Sequence, residues 1–118
     1  MRHRYTEAQP YVTRDGSMIR ELMHPAVHGN RQQSLAEAQV PPGGETLRHR
    51  HLAREELYHF TAGAGEMELD GVWFDVAAGD TVAIPPGSDH RLRNTGATTL
   101  TLLCCCAPPY RHEDTELR

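Results

Sequence analysis

Two histidines separated by one residue, His49 and His51, are followed closely by the adjacent carboxylates Glu55 and Glu56. Side chains on an extended segment alternate between faces with a period of two, so the two imidazoles stand side by side. A carboxylate returned to them by a short connection adds a third ligand of the kinds that a divalent metal accepts. The chemistry implied is metal binding, and a further histidine, His90, lies downstream as a fourth candidate.

Positioning such ligands requires strands, and the chain has the pattern for them. Glu45 to His51 forms the first ligand-bearing segment and Glu56 to Ala62 the next, with Gly63 and Gly65 bracketing a turn. Glu66 to Leu69 alternates strictly, Met67 and Leu69 inward against Glu66 and Glu68. Asp70-Gly71 then carries the signal of a two-residue hairpin. Val72, Phe74 and Val76 continue an inward face, Thr81 to Ile84 is a short strand, and Pro85-Pro86-Gly87 stops it. His90 to Asn94 is extended. Thr98 to Cys106 is the last long strand, with Leu100, Leu102 and Cys104 on one face.

Before the ligand segment, Ser17 to His24 alternates with Ile19 and Met23 on one side, and Gln33 to Val40 carries Ala36, Ala38 and Val40 at period two. The expected organisation is an N-terminal arm over 1–16, a barrel domain over 17–107 and a polar C-terminal tail over 108–118. Eight to ten short strands are expected, with regular turns and no convincing helix. That pattern places the chain among all-β folds, as a sandwich or small antiparallel barrel.

Composition removes several function classes. The 118 residues suit one domain and one site. The formal net charge is -4, and all 12 cations are scattered arginines, so no nucleic-acid or polybasic membrane patch is expected. Without lysine there is no side-chain imine chemistry. No apolar run is long enough to span a bilayer, and the N-terminal residues lack the apolar core of a signal peptide, so the expected location is cytoplasmic. The three cysteines are contiguous, Cys104 to Cys106, and neighbours on a strand point apart; they read as free thiols behaving as small buried hydrophobes. Eight histidines is a high count, and His49, His51, His59 and His90 share the middle section.

Two spaced motifs then point to a family. Gly43-x5-His49-x-His51-x4-Glu56-x6-Gly63 and Gly79-x5-Pro85-x-Gly87-x2-His90-x3-Asn94 resemble the first and second motifs of the cupin superfamily. The chain is similar in form to a small single-domain cupin. That resemblance implies a double-stranded β-helix, or jelly-roll barrel, of two antiparallel sheets, with His49, His51, Glu56 and His90 holding one divalent transition metal ion. Three imidazoles and a carboxylate suit Fe, Mn, Zn, Ni or Cu and leave positions open for water or substrate. The ending APPYRHEDTEL is also similar to endings of small cupins related to mannose-6-phosphate isomerase.

Glu55 competes with Glu56, because the family allows either spacing and a one-residue change exchanges the two faces of a strand. Glu56 is preferred for its distance to Gly63. With Glu56 inward, Tyr58 and Phe60 line the cavity and His59 faces out; with Glu55 inward, Leu57 and His59 line it. Tyr58 and His59 are thus the alternative catalytic candidates beside the metal. Arg48 and Arg50 point away from it by parity.

Cupins host many chemistries on one barrel. The leading expectation is a metal-dependent enzyme of isomerase, dioxygenase, decarboxylase or lyase type on a small oxygenated organic substrate. The alternative is a non-catalytic small-ligand-binding or sensory cupin, favoured by a pocket lined only by Met67, Leu69, Phe74, Val82 and Ile84. The outward Trp73 and the small size of the barrel suggest a homodimer.

Overall fold

The computed structural model describes residues 1–118 and is built almost wholly of strands. In chain order they are β1 (Tyr11–Val12), β2 (Met18–Met23), β3 (Ser34–Val40), β4 (His49–His51), β5 (Glu55–Ala62), β6 (Ala64–Leu69), β7 (Val72–Ala77), β8 (Thr81–Ile84), β9 (His90–Arg93), β10 (Leu100–Ala107) and β11 (Thr115–Leu117). Only two single-turn 3-10 segments, Tyr5–Glu7 and His112–Asp114, interrupt them. No helix is long and apolar enough to cross a membrane.

One sheet has the order β1-β2-β3-β10-β5-β8 and the other β11-β4-β9-β6-β7, with antiparallel pairing throughout. The two sheets face one another in the jelly-roll arrangement. Local chemistry explains the turns. At the β6–β7 hairpin, Asp70 and Gly71 both have positive φ, 49° and 85°, as the primed turn requires. Gly63, between β5 and β6, has φ +84°, and a Cβ there would lie 2.6 Å from the Thr99 carbonyl oxygen. Asn94 is fully buried and ties three segments together: its Nδ2 donates to the Val40 and Thr98 carbonyls, and its Oδ1 accepts from Gly96 N–H.

The space between the sheets is filled unevenly. Phe60, Met67, Val76, Ile84, Leu92, Leu100 and Leu102 form a solid core, with Leu69, Phe74 and Val82 packed against it. Each fully buried large side chain contributes about 1.5–3 kcal/mol of transfer free energy. Along β3, the inward residues Ser34, Ala36 and Ala38 are small, and a cavity remains in front of them. The barrel is therefore packed at one end and hollow at the other.

Both chain ends take part in the sheets. Tyr11 and Val12, within the expected arm, pair with Ile19 and Met18. Thr115–Leu117, within the expected polar tail, pairs with β4, Thr115 opposite His51 and Leu117 opposite His49. A three-residue strand whose partner lies far back in the sequence has no local periodicity by which to be recognised. Trp73 faces outward as expected, but Arg91 and Arg93 stack on it with their guanidinium carbons 5.0 and 4.5 Å from its ring centre.

Candidate metal centre

Strand β4 carries His49 and His51 on its inner face, with Arg50 between them turned outward to Glu116 at 2.7 Å. Strand β9 pairs with β4 so that His90 stands directly opposite His49. Antiparallel partners share a face of the sheet, which brings the three imidazoles together. Their nitrogen ligand atoms all lie within 4.8 Å of one another. From the facing sheet, β5 contributes Glu56: Glu56, Tyr58 and Phe60 are buried, whereas Glu55, Leu57 and His59 are exposed. Glu56 Oε1 lies 3.2 Å from His51 Nε2 and 3.5 Å from His90 Nε2.

The hydrogen bonds on the far side of each ring determine where its protons sit. His49 Nδ1 faces the Leu47 carbonyl at 2.9 Å, and His90 Nδ1 faces the Ser88 carbonyl at 3.0 Å. A carbonyl only accepts, so both Nδ1 atoms carry hydrogen. His51 Nδ1 meets Thr115 Oγ1 at 3.1 Å, and that hydroxyl spends its proton on the Arg111 carbonyl, so it too accepts from the ring. In each neutral imidazole, Nε2 is therefore a bare lone pair aimed inward. Metal-binding histidines are oriented in this way.

The centre so formed has too many acceptors. Glu56 Oε1 and His90 Nε2 are both fully buried and make no hydrogen bond. Unmatched buried acceptors facing one another are costly, and a divalent cation between them removes the conflict. The donor set of three imidazoles and a carboxylate fits such an ion. Burial, reinforced by the nearby His90, lowers the pKa of His49 to about 4, which keeps it neutral and able to ligate. The second Glu56 oxygen accepts from Cys106 Sγ–H at 3.0 Å. Burial, with the Glu56 charge beside it, pushes the Cys106 thiol far up, so it stays a protonated donor.

A cavity opens in front of these groups. Ile19, Ala38, Val40, Leu92 and Leu102 supply apolar wall, and Tyr11, Tyr58 and Tyr110 supply aromatic wall. The Tyr58 ring centre is 5.7 Å from that of His90. His59, the other catalytic candidate, does not reach this space: it lies on the outer face of β5, where Nδ1 and Thr81 Oγ1 are 2.8 Å apart. Glu55 is likewise exposed on that outer face. Met67, Leu69, Phe74, Val82 and Ile84 belong to the solid end of the barrel and do not line the cavity.

Several groups at the site lie outside both motifs. Asp15, Ser17, Ile19 and Glu21 all face the cavity. The signal for them was the period-two pattern that places Ile19 inward, extended back to Asp15 and forward to Glu21. Cys106, expected as a plain buried hydrophobe, is also a hydrogen-bond donor to Glu56. Tyr110 and Thr115 come from the C-terminal segment, and no local pattern marks them.

Comparison with known proteins bears on the family and the fold. The chain is 50% identical over 113 residues to an uncharacterized protein of Methanocaldococcus jannaschii, covering 96% of this chain and 90% of that one. It is 34% identical over 112 residues to the protein SchB of Streptomyces halstedii, covering 91% and 81%. The crystal structure of a predicted oxalate decarboxylase from Thermotoga maritima superposes with a TM-score of 0.78 at 25% identity, covering 92% of this chain and 99% of that one. A family model described as the cupin domain matches residues 36–106, a span that includes both motifs. On that match, and on the fold that carries it, the chain belongs to the cupin family.

Proposed function

We propose that this cupin is a metal-dependent enzyme whose substrate is a small, uncharged, oxygenated organic molecule. The observation that carries the proposal is the convergence of three inward Nε2 lone pairs and the Glu56 carboxylate at the floor of a cavity lined by apolar and phenolic side chains. His49, His51, His90 and Glu56 would hold the ion, which when bound supplies Lewis-acid polarisation of a substrate carbonyl, enol or phenol oxygen. An isomerase, lyase, decarboxylase or dioxygenase reaction would use that polarisation.

The chain's own residues supply the rest. Burial pushes the pKa of Tyr58 well above its ordinary value, so its hydroxyl remains a proton donor beside the ligands. Glu21 faces the cavity with a buried Oε1 that has no hydrogen-bond partner. Burial raises its pKa, against a smaller opposing effect of His24, and a carboxyl of that kind suits moving a proton to or from a bound substrate.

The lining includes no arginine, and it carries Asp15, Glu21 and Glu56. A dicarboxylate or a phosphorylated sugar would bring negative charge to a cavity with no cationic side chain to meet it. The oxalate decarboxylation predicted for the T. maritima protein is thus disfavoured for this chain.

Screening the Mn(II)- and Fe(II)-loaded protein against neutral ketones, catechols and unphosphorylated sugars, beside dicarboxylates and sugar phosphates, tests the proposal. Turnover confined to neutral compounds is expected. Turnover confined to the anionic compounds, or none in any class, contradicts it. The largely apolar wall favours a second reading, a ligand-binding cupin without turnover, for which a neutral compound would bind and be recovered unchanged.

A further inference from the structure

We propose that Asp15 is a fifth protein ligand of the metal centre, donated by the turn between β1 and β2 rather than by either family motif. The inference rests on the metal reading above and extends it to a residue that neither motif contains.

Asp15 is held rigidly. Thr13 N–H donates to the Ser17 carbonyl and Gly16 N–H to the Thr13 carbonyl, each at 3.0 Å, closing the turn around it. Gly16 takes φ +91°, which a glycine accepts without strain. Asp15 Oδ1 accepts from Ser17 N–H at 2.9 Å and from Ser17 Oγ–H at 2.6 Å. Those bonds orient the carboxylate so that Oδ2 reaches 3.6 Å from His49 Nε2. Leu47 ties the pair together: its N–H donates to the Asp15 carbonyl at 2.6 Å while its own carbonyl accepts from His49 Nδ1 at 2.9 Å. The separation of Asp15 from His49 is thus set by a single intervening residue.

Between Oδ2 and Nε2 there is no hydrogen to share. His49 Nδ1 carries the proton of the neutral ring, so Nε2 presents a lone pair to a carboxylate oxygen. Asp15 is 8% exposed. The neighbouring Arg14 is committed elsewhere, donating to the Thr115 carbonyl at 3.1 Å. A buried anion facing a lone pair is a poor arrangement by itself. It becomes a good one around a cation, because two atoms each about 2.1 Å from one ion lie roughly 3 to 4 Å apart. Asp15 and Glu56 together supply two negative charges, which balance a divalent ion, and a carboxylate-rich set shifts preference toward harder ions such as Mn(II).

The test is Mn(II) titration of the full chain, followed by loss of the free-ion paramagnetic resonance signal, for wild type, Asp15→Asn and the exposed-strand control Asp75→Asn, with visible spectra of the Co(II)-loaded proteins. Asp15→Asn should bind Mn(II) at least about tenfold more weakly and alter the Co(II) spectrum, while Asp75→Asn changes neither. Affinity within twofold of wild type and an unchanged Co(II) spectrum would overturn the assignment. Should Asp15→Asn fail to fold, a crystal structure of Mn(II)-loaded wild type decides. Oδ2 within bonding distance of the ion supports the assignment, and Oδ2 beyond about 3 Å overturns it. Wild-type protein that takes up no metal overturns the metal reading itself; wild type that binds while Asp15→Asn is unaffected overturns only the role of Asp15.

Discussion

Glu56 and His51 approach from opposite sheets, and Oε1 of one stands 3.2 Å from Nε2 of the other. The contact joins the two halves of the barrel at a single buried point, and the hydrogen-bond pattern around His51 leaves its Nε2 without a proton to offer. A cation shared by the two residues accounts for that approach, and most of what can be tested about the centre follows from it.

The first test concerns the neighbouring carboxylates. Glu56→Gln keeps the shape and removes the charge, and it should weaken divalent-metal affinity by at least about tenfold in competition with a chelator. Glu55→Gln, on the outer face of the same strand, should leave affinity unchanged. Equal effects of the two substitutions would exclude the inward placement of Glu56 as the cause.

Cys106 tests the support behind that carboxylate. Cys106→Ala deletes the donor to Glu56 Oε2 and should weaken metal binding about tenfold, whereas Cys106→Ser retains a donor and should recover most of it. If alanine and serine behave alike, the thiol serves packing alone.

The apo protein should also lose stability in acid through His49. The unfolded chain takes up a proton there near pH 6.5, while the folded site resists until about pH 4, because burial and His90 disfavour the imidazolium. Between those values the unfolded state binds more protons, so stability falls as pH falls, by up to about 3 kcal/mol. Denaturant unfolding with chelator present, at intervals from pH 7 to pH 4, measures the slope. His49→Gln should reduce it; an unchanged slope in that variant would assign the acid sensitivity to other groups.

Two turn glycines should differ in cost although both have positive φ. At Gly79 (φ +98°) an added Cβ meets nothing within 4 Å, so Gly79→Ala bears only the backbone penalty of about 1–2 kcal/mol. At Gly63 the same Cβ would strike the Thr99 carbonyl at 2.6 Å, and Gly63→Ala should cost clearly more. Thermal unfolding of the two variants compares them directly.

Much of this barrel can be read along the chain because its strands alternate cleanly and its turns carry Gly, Pro and Asp. The inward set Glu56, Tyr58 and Phe60 follows from parity once the distance from Glu56 to Gly63 is used, and the pairing of His49 with His90 agrees with the spacing of the two motifs. What escaped a local reading is what depends on distant parts of the chain meeting. Thr115 orients His51 from a three-residue strand in a polar segment, and Tyr110 reaches the cavity wall from the same stretch. Asp15 sits in a turn whose meaning appears only when Leu47 closes over it. The Cys106 hydrogen bond likewise needs β10 laid beside β5, with Cys106 opposite Glu56. The cavity itself comes from an absence of bulk at Ser34, Ala36 and Ala38, and residue size on one strand does not reveal what faces it.

The most direct test of the metal centre is a stoichiometric titration of the chelator-treated protein with Mn(II), Fe(II) or Co(II), comparing wild type with His90→Gln. One tightly bound ion per chain in wild type, with affinity reduced by at least about tenfold in the variant, is the predicted result. Failure of wild type to bind any of the three ions, or binding that is indifferent to His90, would contradict the assignment of this site to a metal.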